Sequence, residues 1–166
     1  MAATETSAIR PLLFPDDLQF WYETLRWLGL AAYGAADIGE VVTTAARVSA
    51  GLYDSWYEQW AATAQRVEAE ARAQLAAGHQ VSGRDGLLRA ATYWRSAEFF
   101  TRDRDPDPRG RAAYDASVAC FADAAALMSP AVTPVAIPFE GGSLPGYLYQ
   151  PLRGGRPGHA HHAQRL

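Results

Sequence analysis

Up to about residue 130, apolar residues recur at spacings of three and four, the period of a helix face; the pattern then switches to alternation. The helical part predicts five helices. "FPDDLQFWYETLRWLGLAAYG" opens the first, with Pro15, Asp16 and Asp17 at its start and Gly34 near its end. Acids suit the positive end of a helix dipole, and glycine tolerates the left-handed stop. The second helix runs from Asp37 to Ala50 and stops at Gly51. In the third, Ser55 and Glu58 have the spacing of a capping box, and Gly78 closes the helix. Trp56 and Trp60 share one of its faces, as do Tyr53 and Tyr57. Ser82 with Asp85 caps the fourth, which contains "LLRAATYWRSAEFFTR" at 87–102. "DRDPDPRG" predicts a loop, because its prolines cannot continue a helix. The fifth helix runs from Arg111 to Met128 and ends before Pro130.

"VTPVAIPFEGGSLPGYLYQP" alternates and is rich in β-branched and aromatic residues. It predicts a hairpin of Val135–Phe139 with Leu144–Gln150 around "EGGS". The tail "LRGGRPGHAHHAQRL" has no periodicity and is expected to be disordered. The fold class is therefore mainly α. The divisions are a mobile N-terminus over 1–14, a helical region over 15–130, a hairpin over 131–151 and a disordered tail over 152–166. A lone hairpin is marginal, so this one reads as the beginning of a larger sheet.

The fourth helix carries two apolar sides. At about 100° per residue, Leu87, Ala90, Ala91, Tyr93, Trp94, Ala97 and Phe100 form one wide arc. Leu88 and Phe99 form a smaller patch near the opposite side. A surface helix needs one stripe, so this helix is expected to be sandwiched. Glu98 falls inside the main arc. Either it pairs with Arg102 or Arg95, as buried acids do, or it anchors a polar group in an apolar cavity. The aromatics likewise read as core or as ligand contacts.

Composition narrows the function classes. The 166 residues, 49% hydrophobic and 20% charged, suit one globular domain. A net charge of −3 with no basic stripe argues against nucleic acid as a partner. All 15 basic residues are arginine. The single cysteine, Cys120, excludes an intramolecular disulfide and reads as a small core residue. No apolar run reaches the ~18 residues of a membrane span, and the N-terminus lacks a signal-peptide pattern. No membrane partner is expected, and the cytoplasm is the expected compartment.

Chemistry is marked mostly by absences. There is no G-x-S-x-G elbow, no phosphate-cradling loop and no G-x-G-x-x-G. "GGSLPG" reads as a hairpin turn. Only His79 lies outside the tail, so no Ser-His-Asp set can be assembled in the folded part. His159, His161 and His162 sit in the tail without a supporting shell. No catalytic residue, metal ligand or cofactor is assigned.

"SWYEQW" at 55–60, "LLRAATYWRSAEFF" at 87–100, "YDASVACF" in the fifth helix and "VAIPFEGGSLPGYLYQP" at 135–151 resemble one group of proteins. They resemble the N-terminal part of bacterial α/β-hydrolases of the dipeptidyl aminopeptidase/acylaminoacyl peptidase type. The same group takes in the 2,6-dihydropseudooxynicotine hydrolase and fermentation/respiration-switch esterase types. The resemblance covers about residues 15–151. It implies that the helices form a cap over a catalytic domain and that the hairpin supplies the first two strands of its sheet. It further implies that Tyr93, Trp94, Glu98 and Phe99 face the hydrolase core or the substrate entrance. Complete relatives would be serine hydrolases of esters, amides or peptides, or C–C bonds. This chain lacks their elbow, acid and histidine, so it is expected to be inactive alone. A truncation or frame shift near 151–157 would produce such an ending. The expected partner is a separate catalytic domain or a homo-oligomer partner, with a small-molecule or peptide substrate in complete relatives.

The alternative is a tetratricopeptide-like peptide-binding module. Phe121, Ala124 and Pro130 have a faint version of that spacing, but no 34-residue repeat supports it.

Overall fold

The computed structural model describes residues 12–102 and 107–150. Among these residues lie five α-helices: Leu18–Gly29 (α1), Ile38–Ala45 (α2), Tyr53–Ala76 (α3), Gln80–Glu98 (α4) and Pro108–Ala126 (α5). An antiparallel hairpin of Val132–Phe139 (β1) and Gly142–Tyr149 (β2) follows. Short 3-10 turns continue α1 over Leu30–Tyr33 and α4 over Phe99–Thr101. This is the mainly α architecture with one hairpin that the periodicity predicts. The tail over 152–166 and most of the expected N-terminal segment lie outside the described residues.

The helix boundaries shift where backbone geometry overrides the cap signals. Asp17 caps α1 by accepting from the Phe20 N–H at 3.0 Å, and Asp37 caps α2 by accepting from Glu40 at 2.9 Å. Neither expected capping serine takes that role. The third helix starts at Tyr53, and Ser55 Oγ instead accepts from the Ser49 backbone N–H at 2.9 Å. The fourth starts at Gln80, and Asp85 pairs with Arg84 at 2.8 Å. The second helix ends at Ala45, five residues early. The fifth begins three residues early because Pro108 occupies its first turn, where the missing N–H costs nothing, with Asp107 as its cap. Phe14, expected in the mobile segment, is buried and meets Phe20 edge-on at 5.5 Å.

The core is aromatic. Trp56, Trp60, Tyr93 and Phe20 are fully buried. Phe20 and Phe100 both close on Trp56, at 4.8 and 5.0 Å between ring centres. The Trp56 indole N–H donates to the Ser96 carbonyl at 2.8 Å, tying α3 to α4. Helix α4 lies between α3 and α5, while Phe99 of its smaller apolar patch meets Trp27 of α1. Small residues set the approach of α3: a Cβ added at Gly86 would sit 2.7 Å from the Ala71 Cβ.

The hairpin turns on Glu140 and Gly141, both with positive φ, as a two-residue type I′ turn requires. Its register pairs Ile137 with Leu144 and Val135 with Gly146. In such a hairpin the pair flanking the turn is hydrogen-bonded, and bonded and non-bonded pairs alternate from there. Pro134, Pro138 and Pro145 all fall in non-bonded pairs, where a missing N–H takes nothing from the ladder. One face of the hairpin meets α5: Val132 is buried and Tyr147 lies edge-on to Phe121 at 4.9 Å. The other face carries Ile137, Leu144 and Leu148, all exposed.

Candidate functional site

The four residues singled out on the fourth helix do not converge on one cavity. Successive residues on a helix point about 100° apart, so Tyr93 and Trp94 serve different neighbours. The Tyr93 ring is fully buried beside Trp60, with ring centres 5.8 Å apart. Its hydroxyl accepts from the Asp37 backbone N–H at 2.8 Å and donates to the Glu40 carboxylate at 2.7 Å. Burial pushes the phenol well above the ordinary tyrosine range, and the Glu40 charge adds to the shift. Trp94 is buried with its indole N–H donating to Glu68 at 2.8 Å. Burial raises the Glu68 carboxyl, but hydrogen bonds from Trp94 and Arg72 outweigh it and leave the pKa below the ordinary value.

Glu98 and Phe99 lie at the end of α4, with Phe99 against α1. Glu98 is buried and accepts from Arg102 Nε at 2.7 Å, and it also pairs with Arg95. Both ion pairs anticipated in the sequence are formed. Burial nevertheless raises the Glu98 carboxyl above its usual range, opposed by the charge of Arg95. Phe99 is half-buried, with the guanidinium groups of Arg26 and Arg102 each 5.6 Å from its ring centre. Its edge contact with Trp27, at 6.4 Å, brings α1 against the same corner.

Two open clefts flank this helix. One, of about 430 Å³, lies between the start of α2 and α4 and is lined by Tyr33, Asp37, Arg84, Leu88, Arg89 and Met128. The other, of about 230 Å³, takes in Glu98, Thr101, Arg102, Arg111 and Tyr114. Of the four candidates, Glu98 alone lines either cleft. Neither cleft holds a nucleophile beside a base. Cys120 is fully buried, and its thiol is pushed up to about 12 by burial and by Glu68. Among the described residues no group of three or more His, Cys, Asp or Glu could hold a metal ion, and no helix is long and apolar enough to cross a membrane.

Two features escaped the reading of the sequence. Glu40 gathers Tyr93, Arg89 at 3.1 Å and Arg66 at 3.8 Å, a junction of α2, α3 and α4 with no signature in a single chain. The outer stripe of α1, Leu18, Tyr22 and Leu25, was visible as an i, i+4, i+7 spacing.

Comparison with known proteins gives a consistent picture. The hydrolase LUC6 of a Fusarium species is 39% identical over 140 residues, covering 84% of this chain and 33% of its own length. The 20-hydroxy-prefusarin hydrolase FUS2 of Gibberella moniliformis is 38% identical over 140 residues, with the same coverage. The alpha/beta hydrolase xenA of Xenoacremonium sinensis is 36% identical over 140 residues, covering 83% of this chain and 32% of its own. The chain thus spans about a third of the length of the curated relatives it matches. The crystal structure of 2,6-dihydroxy-pseudo-oxynicotine hydrolase superposes with a TM-score of 0.56 at 22% identity, covering 76% of this chain and 32% of that one, which shows likeness of fold. No family model matches the chain. Together these likenesses support part of an α/β-hydrolase. The relatives are fungal, and they give no support to the bacterial grouping or to the dipeptidyl aminopeptidase likeness.

Proposed function

We propose that the chain forms the helical cap and the first two strands of a serine α/β-hydrolase, and that it is inactive without the catalytic part. The observation that carries this reading is the hairpin. One of its faces is seated on α5, while the other presents Ile137, Leu144 and Leu148 to solvent. Two strands with an open apolar face do not make a stable unit. The free edges differ as well. Along β1 the outward N–H groups are lost at Pro134 and Pro138, whereas β2 loses one at Pro145 and keeps those of Ser143, Tyr147 and Tyr149. Further strands would therefore join at β2, with β1 as the outer edge. A free-standing peptide-binding bundle leaves the hairpin without a purpose.

In the complete enzyme a serine would attack an ester, amide or C–C substrate, with an acyl-enzyme intermediate and an oxyanion held by backbone N–H groups. Among the described residues none is assigned a part in that chemistry. The chain's contribution would be cover and shape. Glu98 and Phe99 would lie at the cavity wall at the end of α4, and Tyr93 and Trp94 would hold that helix in place from behind. The lone buried cysteine fits a reducing compartment such as the cytoplasm.

The test is a chimera in which residues 12–150 replace the matched segment of the Fusarium hydrolase. A fluorophosphonate probe should label the chimera and leave the isolated chain unlabelled. Labelling of the isolated chain, or a folded chimera that takes no label, would contradict the proposal.

A further inference from the structure

Helix α1 is apolar on both sides. Phe20, Thr24 and Trp27 face the bundle and are buried. Leu18, Tyr22 and Leu25 fall within about 60° of one another on the opposite side, and they are 72%, 61% and 43% exposed. Of its remaining polar residues, Glu23 is buried and paired with Arg26 at 2.7 Å, which leaves Gln19 and Arg26 as the polar groups at its surface. A second apolar stripe, turned away from the bundle, is more than a surface helix needs.

Elsewhere the surface has the contrary chemistry. The outer surface of α3 and α5 is laced with ion pairs, Arg66–Glu70 at 2.9 Å, Arg72–Glu68 at 2.8 Å and Arg111–Asp115 at 2.9 Å. Such a face is built for water.

We infer that the outer stripe of α1, Leu18, Tyr22 and Leu25, is the face by which the helical part docks on the remainder of the α/β-hydrolase. This rests on the proposed function. The occupant follows from size: about two thirds of the relatives' length lies beyond what this chain spans, enough for a whole sheet domain. The helical part therefore meets that domain twice, through the hairpin and through α1, with the charged side of α3 and α5 left in solvent.

Hydroxyl-radical footprinting of the isolated chain and of the Fusarium chimera reads both contacts in one experiment. Oxidation of Leu18, Tyr22 and Leu25 should fall several-fold in the chimera, together with that of Phe139 and Leu148 on the open face of the hairpin. Protection of the hairpin alone overturns the α1 face and leaves the hydrolase reading intact. Protection of neither overturns both. Protection of the stripe in the isolated chain that grows with concentration assigns it to a second copy and also overturns the inference. Should the chimera fail to fold, the same footprint is read on the Fusarium hydrolase at the three aligned positions. A Leu18→Gln/Tyr22→Gln/Leu25→Gln variant of the full chain should keep its helicity and melting temperature. Its unfolding would show that the stripe serves the bundle itself.

Discussion

The Tyr93 hydroxyl donates to Glu40 across 2.7 Å while accepting from the Asp37 backbone N–H at 2.8 Å, so one buried phenol joins α4 to the start of α2. The two residues lie 53 positions apart in sequence. Tyr93→Phe keeps the ring and deletes the bridge. It leaves the Asp37 N–H without that acceptor and Glu40 with one donor fewer. The expected cost is about 1–3 kcal/mol, read from urea unfolding. A cost near zero would mean that water replaces the hydroxyl.

Glycine at position 86 is required by the neighbouring helix. Gly86→Ala gains about 1 kcal/mol of helix propensity, yet the new Cβ would meet Ala71 at 2.7 Å. Overpacking of this kind typically costs about 1–3 kcal/mol, so the variant should be less stable in chemical unfolding. At Gly83 a new Cβ would meet Cδ2 and Cγ of Leu75, a half-buried side chain free to swing aside, with the Ala71 carbonyl 3.1 Å away. Gly83→Ala should therefore be the milder of the two.

Two glutamates on neighbouring helices should answer pH with opposite signs. Burial raises Glu98, so the folded state binds its proton more tightly than the unfolded chain does. Its stabilising contribution is present below the unfolded value of about 4.3 and is lost as pH rises through the raised folded value. For Glu68, burial is outweighed by hydrogen bonds from Trp94 and Arg72, so the folded pKa is lowered. That contribution is present above the unfolded value and is lost as pH falls through the folded one. Stability of wild type relative to Glu98→Gln should fall with rising pH, and relative to Glu68→Gln it should rise. Melting curves between about pH 3 and 7, spanning the carboxylate range, read both slopes.

The prolines of β1 act as guards of an edge. Pro134→Thr/Pro138→Thr restores two outward N–H groups on a strand whose ladder is untouched. The variant should aggregate at lower concentration than the native chain, by light scattering, with its helical content unchanged. Equal behaviour would remove the argument that β1 is the protected edge.

Legibility in the sequence followed the range of the interaction. The five helices, the sandwiched position of α4 and the hairpin came from periodicity, which is a local property. Helix starts were missed where a serine in the right place had other work: Ser55 Oγ accepts from Ser49, two residues inside a helix that begins at Tyr53. The second helix was drawn too long because its apolar spacing continues to Val48, which is buried in a turn. The pairing of Glu98 with Arg95 and Arg102 was readable because the two arginines lie three residues before it and four after it. The Glu40 junction was not, since its partners come from two other helices. The family likeness rested on the fourth helix and the hairpin, and the comparisons bear it out at the level of the α/β-hydrolases.

Native-state hydrogen exchange on the isolated 166-residue chain tests the central claim most directly. If the hairpin is the start of a sheet, its amides should exchange far faster than those of α3 and α4, opening by sub-global fluctuation while the bundle stays closed. Hairpin amides protected to the level of α3 and α4 would mean that the two strands are complete as they stand, and the account of this chain as part of a hydrolase would fail.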